Sequence, residues 1–432
     1  MFFTICAKKL SPMTLKFLLF TGLAVVLAGC AGRPPALPVA APAQNGLIEA
    51  ELARIGPSLQ AYIDSGKVGG IYAVIARNGH ISYERTFGWA DIERRRPLQR
   101  DAVFRIFSMT KPVVAAGALK LVDQGKISLD DPVSKYIPSF ANVRVFAGGT
   151  ADAPITQPAD SAMTIRHLLV HTNGMGYGLT RSPVDTIFLR ATLYNPAWTL
   201  AEFADSVTKL PLHFSPGTRW GYSSAIDIVG RVIEVASGQT LDVFLDQQLF
   251  QPLGMRETSF RWTKKLRKRA TTLYQPGPNG TLQVVTGGLL RMYEPEARFL
   301  WGSGGLLSTP DDFLRFGQML LNRGQFNGVR VLSEASVAEM TRNQLSPQLM
   351  PQGRSMLDAG YGFGLAGAVL VDASASEMPG AAGIYRWSGY VGTYFWIDPK
   401  NQLLAMIWTQ LSPGATYPLE DEFQRMVYRA VR

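Results

Sequence analysis

The sequence predicts an α/β fold: a sheet domain built from both ends of the chain and interrupted by a mainly helical insertion. Three observations predict it. Residues 71–76 and 81–83 read as strands around Arg77-Asn78-Gly79-His80, and Asn-Gly between apolar strands favours a type I′ turn because both central residues take positive φ. Residues 394–397 and 403–409 flank Asp398-Pro399-Lys400-Asn401 as a second hairpin near the other end. Between them, 109–124, 164–171, 199–209, 224–236 and 240–249 have helical periodicity, separated by Gly/Pro loops and without an internal repeat.

The chain starts with a segment that is not part of the fold. Lys8, Lys9 and Lys16 make a basic start, residues 15–27 are apolar apart from Lys16, Thr21 and Gly22, and the run ends in Leu27-Ala28-Gly29-Cys30. This is the pattern of a secretory signal over 1–29. The uncharged stretch 17–32, about 16 residues, is too short to span a bilayer comfortably. Leu-Ala-Gly-Cys resembles a bacterial lipobox, which implies lipidation of Cys30. With Ala31 behind it rather than an acidic residue, the resemblance implies an exported protein anchored to the outer membrane and facing the periplasm. Met13 is an alternative start to Met1.

Residues 30–45 contain four prolines and no periodicity, and read as a tether. Residues 46–432 are then the domain, with 46–124 and 300–432 as its α/β part and 125–299 as its mainly helical part. Residues 47–64 have apolar side chains at helical spacing, with Pro57 expected to bend the helix. The last helix is expected to open at Pro418, where Glu420, Asp421 and Glu422 suit the positive end of the helix dipole.

Composition narrows the function. With 432 residues, 47% of them apolar and 18% charged, the chain is neither disordered, nor collagen-like, nor a disulfide scaffold. Of two cysteines, Cys6 leaves with the signal and Cys30 carries lipid, so no thiol remains for a disulfide, a metal or a nucleophile. The formal charge of +10 drops by three with the signal, and six further positive charges sit in 261–269 (RWTKKLRKR), so the remainder is near neutral. That local excess reads as a solvated loop or helix face, with contact to an anionic membrane surface as the other reading. It is not the interleaved pattern of a nucleic-acid binder.

His80, His167, His171 and His213 form no metal pattern, so no metal is expected. Gly302-Ser303-Gly304-Gly305 lacks the lysine of a phosphate loop, so no nucleotide is expected. His171 is expected to bond a loop backbone rather than to catalyse. Ser108-Met109-Thr110-Lys111 is a Ser-x-x-Lys pattern. It follows apolar residues and precedes a helix, which puts the serine at a helix N-terminus, where free N–H groups and the dipole favour negative charge. Lys111, three residues on, shares its face. A neutral serine needs a base, and a desolvated lysine or a tyrosine beside that lysine can supply one. Tyr222, in Tyr222-Ser223-Ser224, is the candidate, and either Lys111 or Tyr222 can be the resting base. A second Ser-x-x-Lys, Ser206-Val207-Thr208-Lys209, falls late in an amphipathic helix ending at Leu210-Pro211 and reads as a surface turn.

Six stretches in order resemble the class C β-lactamase family and its family VIII carboxylesterase relatives, over roughly 48–430. They are Phe107 to Lys111, Gly125 to Pro132, Leu168 to Gly174, Ser215 to Ser223, Pro252 to Met255 and Gly304 to Thr309. The resemblance implies a β-lactamase/penicillin-binding-protein-like fold, an antiparallel sheet flanked by helices with an inserted helical domain and the site at their junction. It implies Ser108 as nucleophile, Lys111 as its partner, Tyr222 as general base or proton relay, and the backbone N–H groups of Ser108 and Tyr390 as oxyanion hole. It requires no cofactor.

Two departures bear on the substrate. The strand motif, Lys-Thr-Gly in lactamases, reads Trp387-Ser388-Gly389, so the cation that would hold a substrate carboxylate is replaced by an apolar ring. Ser224 stands where lactamases have asparagine. With Trp387, Ser388, Gly389 and Ser224 as substrate-binding residues, the expected activity is hydrolysis of short-chain carboxylic esters through a Ser108 acyl-enzyme. The rivals are a β-lactamase or D-amino-acid peptidase of the same fold, and a non-catalytic lipoprotein binding cell-wall material. The expected partners are a small ester or amide and, through lipid, the membrane.

Overall fold

The computed structural model describes residues 36–350 and 357–432. The expected signal, Cys30 and the tether as far as residue 35 lie outside the described residues.

Eight antiparallel strands form the main sheet: β1 (Gly70–Arg77), β2 (His80–Asp91), β3 (Arg96–Pro97), β4 (Tyr361–Phe363), β5 (Ala368–Leu370), β6 (Tyr385–Gly389), β7 (Thr393–Asp398) and β8 (Leu403–Trp408). Their order is β4-β5-β6-β7-β8-β1-β2-β3. The two hairpins read from sequence are β1–β2 and β7–β8, and they join where β1 pairs with β8, Ala73 opposite Ile407. In the first turn Asn78 has φ 53° and Gly79 φ 76°, the positive values that a type I′ turn needs.

β7 and β8 are buried along their whole length because helices cover both faces. Adjacent strand residues point to opposite faces. Phe395 meets Phe313 of helix α4 (Pro310–Leu321; α1 to α3 are given below) with ring centroids 4.9 Å apart, and Trp396 meets Phe423 of α5 (Leu419–Ala430) at 5.8 Å. Truncating either phenylalanine to alanine would cost about 3–5 kcal/mol. Helix α1 (Glu49–Asp64) packs beside α5 and continues through Pro57. Pro418 is the residue preceding α5, one position earlier than a first helical residue.

Helix α2 (Thr110–Asp123) is buried from Thr110 to Leu119, enclosed by α3 (Ala225–Ser237) and the segment Leu241–Leu245. Gly117 permits that approach, since a Cβ there would stand 2.6 Å from Leu245. The expected helices 164–171, 199–209 and 240–249 are shorter, at Ile165–Leu169, Leu200–Val207 and Leu241–Leu245, the last continuing as a π turn to Phe250. The middle of the chain is less helical than expected: it also holds the hairpins Arg144–Gly149 with Pro154–Pro158 and Tyr274–Pro276 with Leu282–Val284.

One expectation is corrected over its described part. Residues 36–45 are not a free tether. Ala36 and Leu37 are buried, Ala40 N–H donates to Ile81 C=O at 3.0 Å, and Ile81 N–H donates to Pro38 C=O at 2.8 Å. Two apolar side chains and a β-bridge along β2 outweigh the lack of periodicity that made the segment read as a linker.

Candidate active site

A short strand, Phe104–Arg105, runs into a 3-10 turn, Phe107–Met109, and then into α2, so Ser108 stands where the backbone changes from strand to helix. Phe107 has φ 42°, a sparsely populated value for a bulky residue, held by ring contacts to Trp301 at 5.6 Å and Tyr293 at 5.8 Å. One helical turn on, Lys111 is fully buried, and its Nζ donates to Ser108 Oγ at 3.0 Å and to Ser303 C=O at 2.7 Å. Tyr222 OH donates to Ser108 Oγ at 3.0 Å, and Lys111 Nζ lies 4.8 Å from the Tyr222 ring centroid. The serine oxygen therefore touches both proton-carrying groups, and the lysine ammonium lies over the tyrosine ring.

A buried ammonium needs compensation. Asp227, fully buried on the first turn of α3, accepts from Ser303 N–H and from Ser303 Oγ–H, both at 2.8 Å, and from Tyr194 OH at 3.3 Å. Ser303 thus presents its carbonyl to Lys111 while a carboxylate holds its other side. Burial pushes Asp227 up to about 6, and the Ser303 bonds and the Lys111 charge pull the other way.

Tyr222 is positioned by His171. Gly221 N–H donates to His171 C=O at 2.9 Å and Ser223 N–H to His171 Nδ1 at 3.3 Å, so the backbone is held on both sides of the tyrosine. The two rings lie 4.7 Å apart. Burial, with the Lys111 charge nearby, holds His171 well below the ordinary histidine range, so its ring is neutral. His171 bonds loop backbone, as its place in the sequence suggested.

Strand β6 forms the facing wall. Gly389 lies so close to the turn bearing Ser108 that a Cβ there would meet Ile106 C=O and Thr393 Oγ1 at 2.3 Å. Thr393 Oγ1 donates to that same carbonyl at 3.2 Å. Glycine is needed for this approach of β6 to the Phe107–Met109 turn. Among the described residues neither the Ser108 N–H nor the Tyr390 N–H has an acceptor. Trp387 lies against Tyr222 with ring centroids 5.5 Å apart.

Ser108 opens into a cavity of about 610 Å³. Phe107, Tyr177, Leu179, Tyr194, Trp301 and Trp387 give it apolar walls, and Ser388 also lines it. A cation, Arg386, also lines it and donates to Asp358 and, at 3.1 Å, to Tyr394 OH. Tyr177 and Leu179 are carried by a loop wound around Asp185, which accepts from the Tyr177, Gly178 and Thr180 amides at 2.8–3.0 Å. Burial alone would raise this carboxyl. The bonds from the Thr180 hydroxyl and from those amides outweigh it and hold it at about 2.

Ser108, Lys111, Tyr222, Trp387, Ser388, Gly389 and Tyr390 all come together here. Ser224 does not line the cavity: it is 1% exposed, behind the wall at the start of α3, and so stands apart from the substrate-binding set in which the resemblance placed it. Sequence reasoning missed Asp227, Ser303, Tyr177 and Tyr194. Asp227 left one signal, a lone acid between apolar residues in Ala225-Ile226-Asp227-Ile228-Val229. Ser303 left another, a serine inside a glycine-rich stretch with no phosphate-loop lysine. Among the described residues no group of three His, Cys, Asp or Glu side chains is arranged for a metal.

The family model described as beta-lactamase matches residues 57–428. The chain belongs to the β-lactamase family. Within this family it is 31% identical over 376 residues to esterase EstB of Burkholderia gladioli, covering 83% of this chain and 90% of that one. It is 29% identical over 370 residues to a lovastatin esterase of Penicillium rubens, covering 80% and 90%. Among solved structures it superposes on EstCE1, described as a hydrolase with promiscuous acyltransferase activity, with TM-score 0.76 and 27% identity over 88% of this chain and 99% of that one. The β-lactamase-like fold, the sheet flanked by helices and the serine-hydrolase class of the enzyme are those expected from the sequence.

Proposed function

We propose that the protein is a carboxylesterase that cleaves short-chain esters through an acyl-enzyme on Ser108. The observation that carries this reading is the position of Ser108 Oγ, 3.0 Å from both Lys111 Nζ and Tyr222 OH. Ser108 attacks the ester carbonyl as its proton passes to whichever member of the Lys111–Tyr222 pair rests without its own proton. The carbonyl oxygen becomes an oxyanion facing the Ser108 and Tyr390 amides, each worth on the order of 3 kcal/mol of transition-state stabilisation. The pair then protonates the leaving alcohol, and the acyl group stays on Oγ. Water enters, gives its proton to the same pair, and attacks the acyl carbon. Oγ leaves with a proton and the acid departs. Asp227 and Ser303 keep Lys111 in place throughout.

Three things support an ester over a β-lactam or a D-amino-acid peptide. Trp387 replaces the strand cation, the cavity walls near Ser108 are aromatic, and Arg386, the cation that does line the cavity, is engaged by Asp358. The curated relatives named esterases favour the same reading. The cavity is also larger than a short acyl group requires, which supports a second outcome for the intermediate. An alcohol can replace water in the second step, as the name of EstCE1 describes for that protein. We further propose that the chain is exported and anchored through lipid on Cys30, probed by globomycin sensitivity of its processing.

The test compares the wild-type protein and Ser108→Ala on p-nitrophenyl butyrate and on a chromogenic cephalosporin. Rapid Ser108-dependent ester cleavage with negligible cephalosporin cleavage is expected. Equal or preferred cephalosporin cleavage would overturn the ester reading in favour of a lactamase.

A further inference from the structure

We propose that a basic face formed by residues 264–268 and the turn at 94–96 docks onto the anionic headgroups of the bilayer that holds the chain. The proposal rests on the reading of Cys30 as the lipid anchor. Its starting point is the corrected tether. Sixteen free residues would let the domain wander about 50 Å from its anchor. Ala36 is instead pinned to the domain, its N–H on Asp311 Oδ1 at 3.4 Å. On that reading six residues, 30–35, separate Cys30 from the described fold, and six residues reach at most about 20 Å. The part of the domain around Ala36 is therefore held near the membrane surface.

That part leads directly to the basic segment. Asp311 also accepts from Arg100 Nη2 at 2.5 Å, and the neighbouring Asp101 accepts from Arg269 Nη1 at 3.2 Å. Arg269 closes the run RWTKKLRKR. The turn at 94–96 is seated on the same segment, with Arg96 donating to Ala270 C=O and Thr272 N–H donating to Ala90 C=O at 2.8 Å. Lys264, Lys265, Lys268, Arg94 and Arg95 are exposed on this face.

Among the described residues the carboxylates of this face are ion-paired except Glu93, whose charge remains. Glu257 pairs with Arg269 and Lys265, Asp101 with Arg269, Glu294 with Arg267, Asp91 with Arg94, and Glu93 accepts from Tyr274 OH. Among the described residues Lys264, Lys268 and Arg95 have no ion-pair partner. A surplus of positive charge on the tethered side is complementary to a phospholipid surface. The short leash returns this face repeatedly to within the screening length of about 8 Å at physiological salt, where the attraction acts.

The experiment uses the chain from residue 30 with Cys30→Ser, which carries no lipid. It is sedimented at low ionic strength with vesicles of equal parts phosphatidylglycerol and phosphatidylcholine, and with phosphatidylcholine alone. Binding to the anionic vesicles only, released by added salt, is expected. Lys264→Glu, Lys265→Glu and Lys268→Glu together should weaken partition at least about 100-fold. Unchanged ester cleavage by this variant shows that it is folded, since none of the three lines the cavity. Equal sedimentation of parent and variant, or no anionic preference of the parent, overturns the docking face. Mass spectrometry of the Cys30 peptide from cells judges the anchor separately. A lipidated peptide with no anionic preference leaves the anchor standing and rejects the docking, and an unmodified peptide rejects the anchor whatever the vesicles show.

Discussion

Ser108-Met109-Thr110-Lys111 and Ser206-Val207-Thr208-Lys209 have the same spacing and nearly the same residues, and the fold treats them differently. Ser108 stands where the chain enters a helix, and Lys111 is fully buried with its Nζ on Ser108 Oγ and Ser303 C=O. Ser206 lies in the last turn of Leu200–Val207, and Lys209 is exposed beyond it. There Lys209 N–H donates to Ser206 C=O at 3.3 Å, a helix-end bond, and among the described residues no side-chain bond joins the pair. A helix start favours the developing negative charge of an attacking oxygen, while a helix end favours the ammonium and leaves the lysine charged in water. The spacing sets which side chains can meet. Burial decides whether the meeting has chemical consequences.

The comparison is broken most sharply by removing each member. Ser108→Ala should reduce kcat for p-nitrophenyl butyrate by at least about 10⁴-fold, and Lys111→Ala by about 10³-fold. Ser206→Ala and Lys209→Ala should leave it within a factor of about two, because neither side chain lines the cavity. Loss of activity in the second pair would mean that spacing alone is not the difference between them.

A smaller effect sharpens what burial requires. Lys111 has Asp227 behind Ser303, and among the described residues Lys209 has no ion-pair partner. Asp227 is pushed up to about 6 against about 4 for an ordinary aspartate. Above pH 6 it is ionised and supports the ammonium. Below pH 6 it gains a proton and that support fades, so kcat should fall on the acid side with an inflection near 6. The stability term runs the other way: the native state holds the proton more tightly than the unfolded chain, so this contribution is greatest below about pH 4 and is lost as pH rises to about 6. Asp227→Asn should lower kcat about tenfold and remove the inflection near pH 6. An unchanged pH profile would mean that Ser303 needs no charge behind it.

The smallest effect separates the site from its walls. Asp185 is held at about 2, below an ordinary aspartate, so it contributes stability above pH 4 that is lost as pH falls toward 2. Asp185→Ala should destabilise the protein by about 2 kcal/mol in urea unfolding at pH 7. The loop bearing Tyr177 and Leu179 should loosen, which raises KM for bulky esters more than it lowers kcat. An equal fall in kcat for every ester would place Asp185 with the reacting groups instead.

How much of this could be read in advance depended on distance along the chain. The β1–β2 hairpin was legible because Asn78 and Gly79 meet their φ requirement within the turn. The Ser108–Lys111 contact was legible because three residues along a helical turn share a face whatever surrounds them. The lower helical content of the middle was not legible, since short amphipathic segments become helix or loop according to what they pack on. The packing of 36–45 was hidden for a related reason: prolines without periodicity describe a linker until a sheet edge is present to receive them. Tyr222 was a candidate because a serine beside a lysine needs a base, and its role, like the strand Trp387-Ser388-Gly389, came through resemblance to a family, because nothing local in them points to Ser108.

By itself, then, the sequence determined the Ser108–Lys111 contact, the turns and the strand signals, all of them consequences of backbone sterics and of neighbours a few residues away. The tertiary structure decided that Lys111 is fully buried, that a tyrosine 114 residues from Ser108 reaches its oxygen, and that Ser303, 192 residues from Lys111, accepts from its ammonium. The physical reason is desolvation. It belongs to a place rather than to a residue, and it comes into being only when α2, α3, the Ser303 loop and β6 close around the same few side chains.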